Sequence, residues 1–256
     1  MLAKLVRQMT ILFLLTSFMA GCSSSQRAIS ISKSALATST SSIIPTSTSQ
    51  QSPISNYAFP NSIDPAKRYL FYLHGKIIED QGIPAIDPDY GEYEYGTILK
   101  RLSGYGFIVI SEQRPKNTDG RVYAEKIAEQ VTVLLKAGVP AKNITIVGAS
   151  KGAGIAIYVS NLLENKEVNF VLMAICNPAT VEELKQNEIS LYGNVLSIYD
   201  SADKLAGSCQ ELFSFSEGKG IFKHKEIILN VGAGHGILYK PLDEWIIPII
   251  QWTGKP

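Results

Sequence analysis

A serine, an aspartate and a histidine stand in this order along the chain, each beside residues that favour a turn. Ser150 and His235 lie among glycines, and Asp203 closely follows an apolar run. A serine hydroxyl becomes a good nucleophile when a histidine takes its proton and a carboxylate orients that histidine. Of the three histidines, His224 stands at a predicted strand start, on the wrong edge of the sheet, whereas His74 and His235 stand at or just after predicted strand ends. Residues of these types indicate acyl transfer through a serine nucleophile.

The serine lies where a buried strand is predicted to turn into a helix. Ile144 to Val147 are apolar or β-branched, and apolar residues recur at helical spacing from Ile155 to Leu163. Gly148-Ala149-Ser150-Lys151-Gly152 between them is the G-x-S-x-G motif of a nucleophile elbow. In this motif the chain resembles the α/β-hydrolase family. A glycine-rich turn whose serine only caps the helix is the alternative interpretation.

The same stretch also resembles the glycine-rich turn of short-chain dehydrogenases, which binds a dinucleotide at a helix N-terminus. That family opens with the turn and carries Tyr-x-x-x-Lys downstream. Here roughly half of the chain precedes the turn, and no later tyrosine has a lysine four residues on. The next predicted strand ends in Cys176-Asn177, without the acid that would hold a ribose. We therefore expect no dinucleotide, and the serine chemistry calls for no cofactor or metal.

The resemblance to α/β-hydrolases implies further assignments. That family runs Ser, acid, His along the chain, which implies Ser150 as nucleophile and His235 rather than His74 as the base. Its acid stands a few residues beyond a strand end, which favours Asp203 and leaves Asp200 as the alternative. The other aspartate would cap the turn. The family's oxyanion hole uses the backbone N–H after the nucleophile and one from the loop after the His-Gly strand. Those groups are here the amides of Lys151 and Lys76.

Other residues at predicted strand ends are candidates for contacting a substrate. His74 and Gly75 end the first strand, and Arg114 follows the second and could bind an anionic group. Pairing of Arg114 with Glu112 or with nearby backbone is the alternative. The acidic, tyrosine-rich segment from Glu79 to Tyr95 is predicted as a long loop that either rims the pocket or is simply solvated.

Apolar runs alternate with helical patterns along the rest of the chain. Strands that are apolar throughout indicate a parallel sheet covered on both faces. We therefore predict a three-layer α/β/α sandwich around a mostly parallel sheet of about six strands. α/β-Hydrolases usually have two strands before the His-Gly strand, and residues 56–66 offer little for them, so the fold is expected to be trimmed at its N-terminus. The predicted strands are Tyr69–His74, Phe107–Ser111, Ile144–Val147, Phe170–Ile175, Val195–Tyr199 and Glu226–Val231.

The N-terminus has the features of a targeting segment. Lys4 and Arg7 precede an apolar run from Ile11 to Phe18, which is too short to span a bilayer as a finished anchor. Met19-Ala20-Gly21-Cys22 then resembles a bacterial lipobox, with Met in place of the commoner Leu. The resemblance implies cleavage before Cys22 and acylation of that cysteine. A plain signal peptide or a short transmembrane anchor is the alternative.

Three segments are predicted along the chain: a lipoprotein signal peptide over residues 1–21, a disordered tether over 22–58 and the α/β domain over 59–256. More than half of the residues from Ser23 to Ser52 are Ser or Thr, a composition that cannot bury enough apolar surface to fold. We expect a lipid-anchored protein of the bacterial cell envelope, facing the periplasm or the exterior.

The balance of charges limits the classes of partner that the chain is expected to bind. The chain has 24 basic and 23 acidic residues, so no excess of charge favours nucleic acid. The expected partners are a small acyl substrate and the membrane, and the oligomeric state stays open.

After lipidation of Cys22, Cys176 and Cys209 are the two remaining thiols in a compartment that permits oxidation. Both are predicted near the same sheet edge, so they are candidates for a disulfide, with two free thiols as the alternative.

Two function classes compete. The first is a serine hydrolase of esters, and the resembling family also includes thioesterases, acyltransferases and peptidases that motifs do not separate. Dienelactone hydrolases of that family use a cysteine nucleophile, and Ser150 argues against them. The second class is a catalytically silent lipoprotein that uses the same scaffold for binding. The Ser, Asp, His order favours the hydrolase.

Overall fold

The computed structural model describes residues 55–254. The predicted signal peptide, Cys22 and the predicted tether up to residue 54 lie outside the described residues. Ser55–Tyr57 forms a short 3₁₀ turn, and the Ser111 N–H donates to the Tyr57 carbonyl at 2.8 Å. The last residues of the predicted tether therefore contact the sheet. Between residues 55 and 254, no helix is both long and apolar enough to cross a bilayer.

The helices and strands of the described chain alternate almost throughout. In chain order they are β1 (Arg68–Leu73), α1 (Lys76–Gln81), β2 (Ile86–Asp87), β3 (Gly91–Glu92), α2 (Tyr95–Ser103), β4 (Phe107–Ile110), α3 (Gly120–Lys136), β5 (Ile144–Ala149), α4 (Lys151–Leu163), β6 (Asn169–Met173), α5 (Pro178–Gln186), β7 (Gly193–Asp200), α6 (Gln210–Ser216), β8 (Ile221–Leu229) and α7 (Asp243–Trp252).

The main sheet has six strands in the order β4-β1-β5-β6-β7-β8, and every neighbouring pair is parallel. Each central strand contributes side chains to two hydrophobic cores, one on each face of the sheet, because successive side chains point to opposite faces. In β1, Phe71 and Leu73 face the core under α3 to α6, whereas Leu70 and Tyr72 face the core under α1, α2 and α7. The predicted three-layer sandwich with about six parallel strands is confirmed.

The strand order reverses at β1. The chain passes from β1 to β4 on one side and returns to β5 on the other, with Leu73 beside Gly148 in the ladder. In open α/β sheets a crevice forms at such a switch point, beyond the carboxyl ends of the strands. The loops that follow β1 and β5 therefore meet there, and these loops carry Gly75 and Ser150.

Two segments differ from the prediction. The stretch predicted as a polar loop from Glu79 to Tyr95 contains part of α1 and the β2–β3 hairpin, because a six-residue helix is too short to show a helical period. Strand β8 begins at Ile221 rather than at the predicted Glu226. It is an edge strand whose first half exposes lysines, and such charges protect an unpaired edge while hiding the apolar pattern.

Candidate active site

Ser150 stands at a sharp turn between β5 and α4. Its backbone has φ 53° and ψ −117°, a conformation that L-residues rarely adopt and that costs on the order of 1–3 kcal/mol. The flanking glycines make the turn possible. A Cβ on Gly148 would lie 2.3 Å from the Gly152 carbonyl oxygen, and one on Gly152 would lie 1.9 Å from the Leu73 carbonyl oxygen. Although Ser150 is at the N-cap position of α4, its side chain makes no capping hydrogen bond.

His235 lies between Ser150 and Asp203. Its Nε2 is 3.0 Å from Ser150 Oγ, and its Nδ1 is 2.8 Å from Asp203 Oδ2. The imidazole is 11% exposed and the carboxylate is fully buried. The preceding Gly234 has φ 55° and packs against the Ala202 carbonyl, so the loop can pass close to the aspartate. Hydrogen-bonded Ser, His and Asp side chains in a line form the arrangement in which a histidine can remove a serine proton.

Asp203 is held in place as a carboxylate. Its second oxygen, Oδ1, accepts hydrogen bonds from the backbone N–H groups of Leu205 at 2.8 Å and Ala206 at 3.2 Å. Burial by itself raises the pKa of Asp203, but the hydrogen bonds from His235 and from these amides outweigh it, so the net pKa lies below its ordinary value. The aspartate therefore stays ionised and orients the imidazole.

Asp200 has a separate role in the same region. It is fully buried and accepts four backbone N–H groups, two of them from Ala202 and Gly234 to Oδ1 and two from Val231 and Gly232 to Oδ2. Burial raises the pKa of Asp200, but these four donors lower it to a net value below the ordinary one. Asp200 thus fixes the loop that carries His235, whereas Asp203 contacts the ring.

A small cavity opens beside Ser150. Its volume is about 160 Å³, below the roughly 300–1,000 Å³ of pockets for drug-sized ligands. A methyl group on Gly75 would lie 3.7 Å from Ser150 Cβ, so the loop after β1 touches the nucleophile. The hydroxyl groups of Tyr93 and Tyr72 share a hydrogen bond of 2.8 Å. Burial raises the pKa of Tyr93 to about 12, so the Tyr93 phenol is neutral. The residues around the cavity are Gly75, Lys76, Ile77, Tyr93, Ser150, His235, Leu238 and Tyr239.

The two amides predicted as oxyanion donors both open helices. Lys76 is the first residue of α1 and lines the cavity, and Lys151 is the first residue of α4 and directly follows Ser150. Amides in the first turn of a helix have no acceptor within that helix, and the helix N-terminus carries partial positive charge. The two helix N-termini therefore offer N–H groups, one at the lining of the cavity and one directly after Ser150.

One solved protein shares this architecture. SOBER1 from Arabidopsis thaliana superposes with a TM-score of 0.50 at 13% identity, over 73% of this chain and 98% of its own. The sheet has six parallel strands whose order reverses once, at β1. The sharp turn that carries Ser150 follows β5, the neighbour of β1. The chain has an α/β-hydrolase fold. At this level of identity the likeness concerns architecture alone.

Two further solved structures are similar to this α/β-hydrolase fold. A CIB-like hydrolase from Thermoplasma acidophilum is 20% identical, with 75% of this chain and 88% of that one covered and a TM-score of 0.48. Esterase PE8 is 15% identical, with coverages of 75% and 92% and a TM-score of 0.47. No protein-family model matches the sequence, and no curated protein matches it.

The suggestion that His74 and Arg114 contact a substrate is wrong, because both side chains are fully buried. The Arg114 N–H donates to His74 Nε2 at 2.9 Å, and His74 Nδ1 lies 2.8 Å from the Gly75 carbonyl oxygen. Burial, followed by the charge of Arg114, lowers the pKa of His74 to about 3, so this histidine is neutral. Arg114 pairs with Glu79 rather than with Glu112. Of the three candidates, only Gly75 lines the cavity.

Cys176 and Cys209 form a disulfide with a Cα–Cα distance of 5.1 Å. It joins the loop after β6 to the segment that runs from Asp203 to α6. A hydrogen bond links the same two segments, since Asn177 Nδ2 donates to the Leu205 carbonyl at 3.2 Å. The disulfide therefore lies next to the segment that holds the candidate acid.

Some residues around the site carry little signal in the sequence. Tyr239 lines the cavity and its ring centre lies 5.0 Å from that of Tyr93, yet Tyr239 belongs to no recognisable motif, whereas Tyr93 lies in the segment expected either to rim the pocket or to be solvated. Glu79 belongs to the predicted polar loop, but its side chain is 1% exposed. Only the short apolar pair Ile77-Ile78 just before it signalled that this segment enters the core.

Proposed function

We propose that this protein is a serine hydrolase that cleaves an ester or a related acyl bond through an acyl-enzyme intermediate. The observation that carries the proposal is the line of hydrogen bonds from Ser150 through His235 to Asp203, with 3.0 and 2.8 Å separations. The strained backbone of Ser150 supports it, because such strain concentrates at functional sites. Ser150 also lines the cavity, and its hydroxyl makes no capping hydrogen bond to α4.

In the first half of the reaction, Ser150 Oγ attacks the acyl carbonyl carbon while His235 Nε2 takes the hydroxyl proton. The resulting imidazolium is stabilised by the ionised Asp203 at Nδ1. The carbonyl oxygen becomes an oxyanion that accepts hydrogen bonds from the amides of Lys76 and Lys151. When the tetrahedral intermediate collapses, the leaving-group oxygen receives the proton from His235, and the acyl group stays on Ser150.

In the second half, a water molecule replaces the leaving group. His235 takes its proton, the hydroxide attacks the acyl carbon, and the same two amides bind the second oxyanion. Collapse then returns the proton to Ser150 Oγ and releases the carboxylic acid. Each oxyanion donor is expected to contribute about 3–4 kcal/mol of transition-state stabilisation.

A fluorophosphonate probe tests this function because it reacts preferentially with activated serines. We expect the purified domain to be labelled at Ser150 and to hydrolyse p-nitrophenyl acetate, and Ser150→Ala should lose both properties. Ser201→Ala is the matched control, since Ser201 is an exposed serine in the turn after β7. Absence of labelling and of hydrolysis in the folded wild type would favour the silent binding protein instead.

We also propose that the mature protein is anchored to a bacterial membrane through an acylated Cys22. The support is the Met19-Ala20-Gly21-Cys22 sequence, followed by three serines. Expressed in a bacterial host, the full chain should partition with membranes and incorporate labelled palmitate. Cys22→Ser should abolish labelling, whereas Ser25→Ala should not. A mature N-terminus mapped by mass spectrometry to any residue other than Cys22 would contradict the proposal.

A further inference from the structure

Three charged side chains meet between α1, the loop after β4 and the start of α4. Glu79 Oε1 lies 2.6 Å from Arg114 Nε, and Glu79 Oε2 lies 2.5 Å from Lys151 Nζ. Glu79 and Arg114 are 1% and 0% exposed, and Lys151 is 25% exposed. The ammonium of Lys151 also donates to the Thr118 carbonyl at 2.7 Å. One buried carboxylate therefore pairs with two cationic side chains.

The cluster joins the two helices that carry the oxyanion amides. Glu79 is the fourth residue of α1, which Lys76 opens, and Lys151 is the first residue of α4. These helices follow different strands and lie 72 positions apart in sequence at the point where the side chains pair. The ion pair therefore bears directly on the distance between the Lys76 and Lys151 amides.

Arg114 ties the same cluster to the loop after β1. Its guanidinium donates to the His74 carbonyl through Nη2, and its backbone N–H donates to His74 Nε2. His74 leads directly through Gly75 into the first turn of α1. Because these groups are buried, their interactions are screened little by solvent, and any displacement would leave a charge unpaired.

We propose that the side chains of Glu79 and Lys151 are positioning residues that set the geometry of the oxyanion hole. This inference rests on the proposed hydrolase function. The Lys151 residue has two distinct parts in it: its amide binds the oxyanion, and its side chain reaches back to α1 and fixes where the other amide stands. A donor displaced by about 1 Å costs up to about 100-fold in rate, so a loss of this clamp is visible in kcat.

Lys151→Met is the principal variant. It removes the ammonium and keeps the length of the side chain, and because Glu79 keeps its pair with Arg114 we expect the fold to be retained. Lys185→Met is the matched control: Lys185 Nζ lies 2.5 Å from Glu211 Oε1 and is 30% exposed, but that pair joins α5 to α6. Lys151→Arg, which restores a cation, is the conservative variant.

The readouts are kcat for each titrated active site, KM for p-nitrophenyl acetate, and the affinity of a boronic acid that forms a tetrahedral adduct with serine. A phosphonate titration counts functional sites, so a partly unfolded sample does not lower kcat per site. For Lys151→Met we expect at least a tenfold fall in kcat with KM within twofold, and an equal weakening of the boronic acid. Lys151→Arg should recover most of the loss, and Lys185→Met should match the wild type.

Two results would overturn the inference. One is a Lys151→Met enzyme with kcat per site within twofold of the wild type. The other is a loss that appears only in the number of titrated sites, or equally in Lys185→Met, which would indicate a purely structural ion pair. An inactive wild type that no phosphonate labels would instead refute the hydrolase function itself, and the inference with it.

Discussion

His235 Nε2 lies 3.0 Å from Ser150 Oγ although the two residues are 85 positions apart in sequence. Ser150 follows β5 and His235 follows β8, and two strands, β6 and β7, lie between these strands in the sheet. Neighbouring strands are about 4.8 Å apart, so the loop after β8 reaches back across roughly 14 Å. The four hydrogen bonds that Asp200 accepts from this loop and its own turn hold it in that course.

Removal of Ser150 or His235 is expected to lower kcat by a factor on the order of 10⁴ or more, because each is needed for the same proton transfer. The double variant Ser150→Ala/His235→Ala should lose little beyond either single variant. Asp203→Asn should lower kcat by about 10⁴-fold, since an amide no longer stabilises the imidazolium. Steady-state hydrolysis of p-nitrophenyl acetate measures all four. Additive losses in the double variant would show that the residues do not act together.

Asp200→Asn is expected to destabilise the fold by about 1–3 kcal/mol at pH 7, because its amide cannot accept from four backbone donors. The pKa of an aspartate in an unfolded chain is about 3.9, and the pKa of Asp200 in the folded protein lies below it. Its contribution is therefore present above that pH and lost as the pH falls through the folded value. Urea unfolding at pH 7, 5 and 3 should show the difference between wild type and variant shrinking at pH 3.

Asp89→Asn is the control for this comparison, because Asp89 is exposed in the β2–β3 turn. It should leave the free energy of unfolding within about 0.5 kcal/mol of the wild type. A difference between Asp200→Asn and wild type that stays constant from pH 7 to pH 3 would contradict the role of the carboxylate charge.

Short acyl chains are expected to be the better substrates, because the cavity beside Ser150 holds about 160 Å³. Each methylene that the cavity cannot accept should reduce kcat/KM, since misfit of one methylene costs about 1–3 kcal/mol. A series of p-nitrophenyl esters from acetyl to octanoyl measures this. Tyr239→Ala should shift the optimum to longer chains, whereas Tyr105→Ala, outside the cavity lining, should not. Equal kcat/KM across the wild-type series would refute the size limit.

Loss of the Cys176–Cys209 disulfide is expected to destabilise the protein by about 3–4 kcal/mol, the chain-entropy value for a loop that spans 33 positions. Urea unfolding of the wild type with and without dithiothreitol, beside Cys176→Ser/Cys209→Ser, measures the effect. The double variant should have the same free energy of unfolding as the reduced wild type, and dithiothreitol should not change it. An unfolding midpoint that dithiothreitol leaves unchanged in the wild type, under conditions shown to break the bond, would contradict the expectation.

The sequence by itself determined the layer architecture and the residue types of the site. Continuous apolar runs such as Ile144–Val147 can be satisfied only between two covering layers, which made the parallel sandwich predictable. Gly148 and Gly152 mark a turn in which no Cβ fits, so the elbow around Ser150 was visible as a local pattern. The shortage of histidines left His235 as the single residue of its type after both Ser150 and the last predicted strand.

Tertiary structure alone decided which polar groups meet. Asp200 ends β7 and Asp203 stands three residues later. Only the course of the loop after β8 gives Asp200 the amides of that loop and Asp203 the imidazole. Arg114 is a residue type that binds anionic groups, which made it a candidate for contacting a substrate. Its actual partner is Glu79, 35 positions away on a helix too short to be predicted. Local patterns record backbone conformation and burial, whereas pairings between distant side chains depend on how the strands are ordered in the sheet.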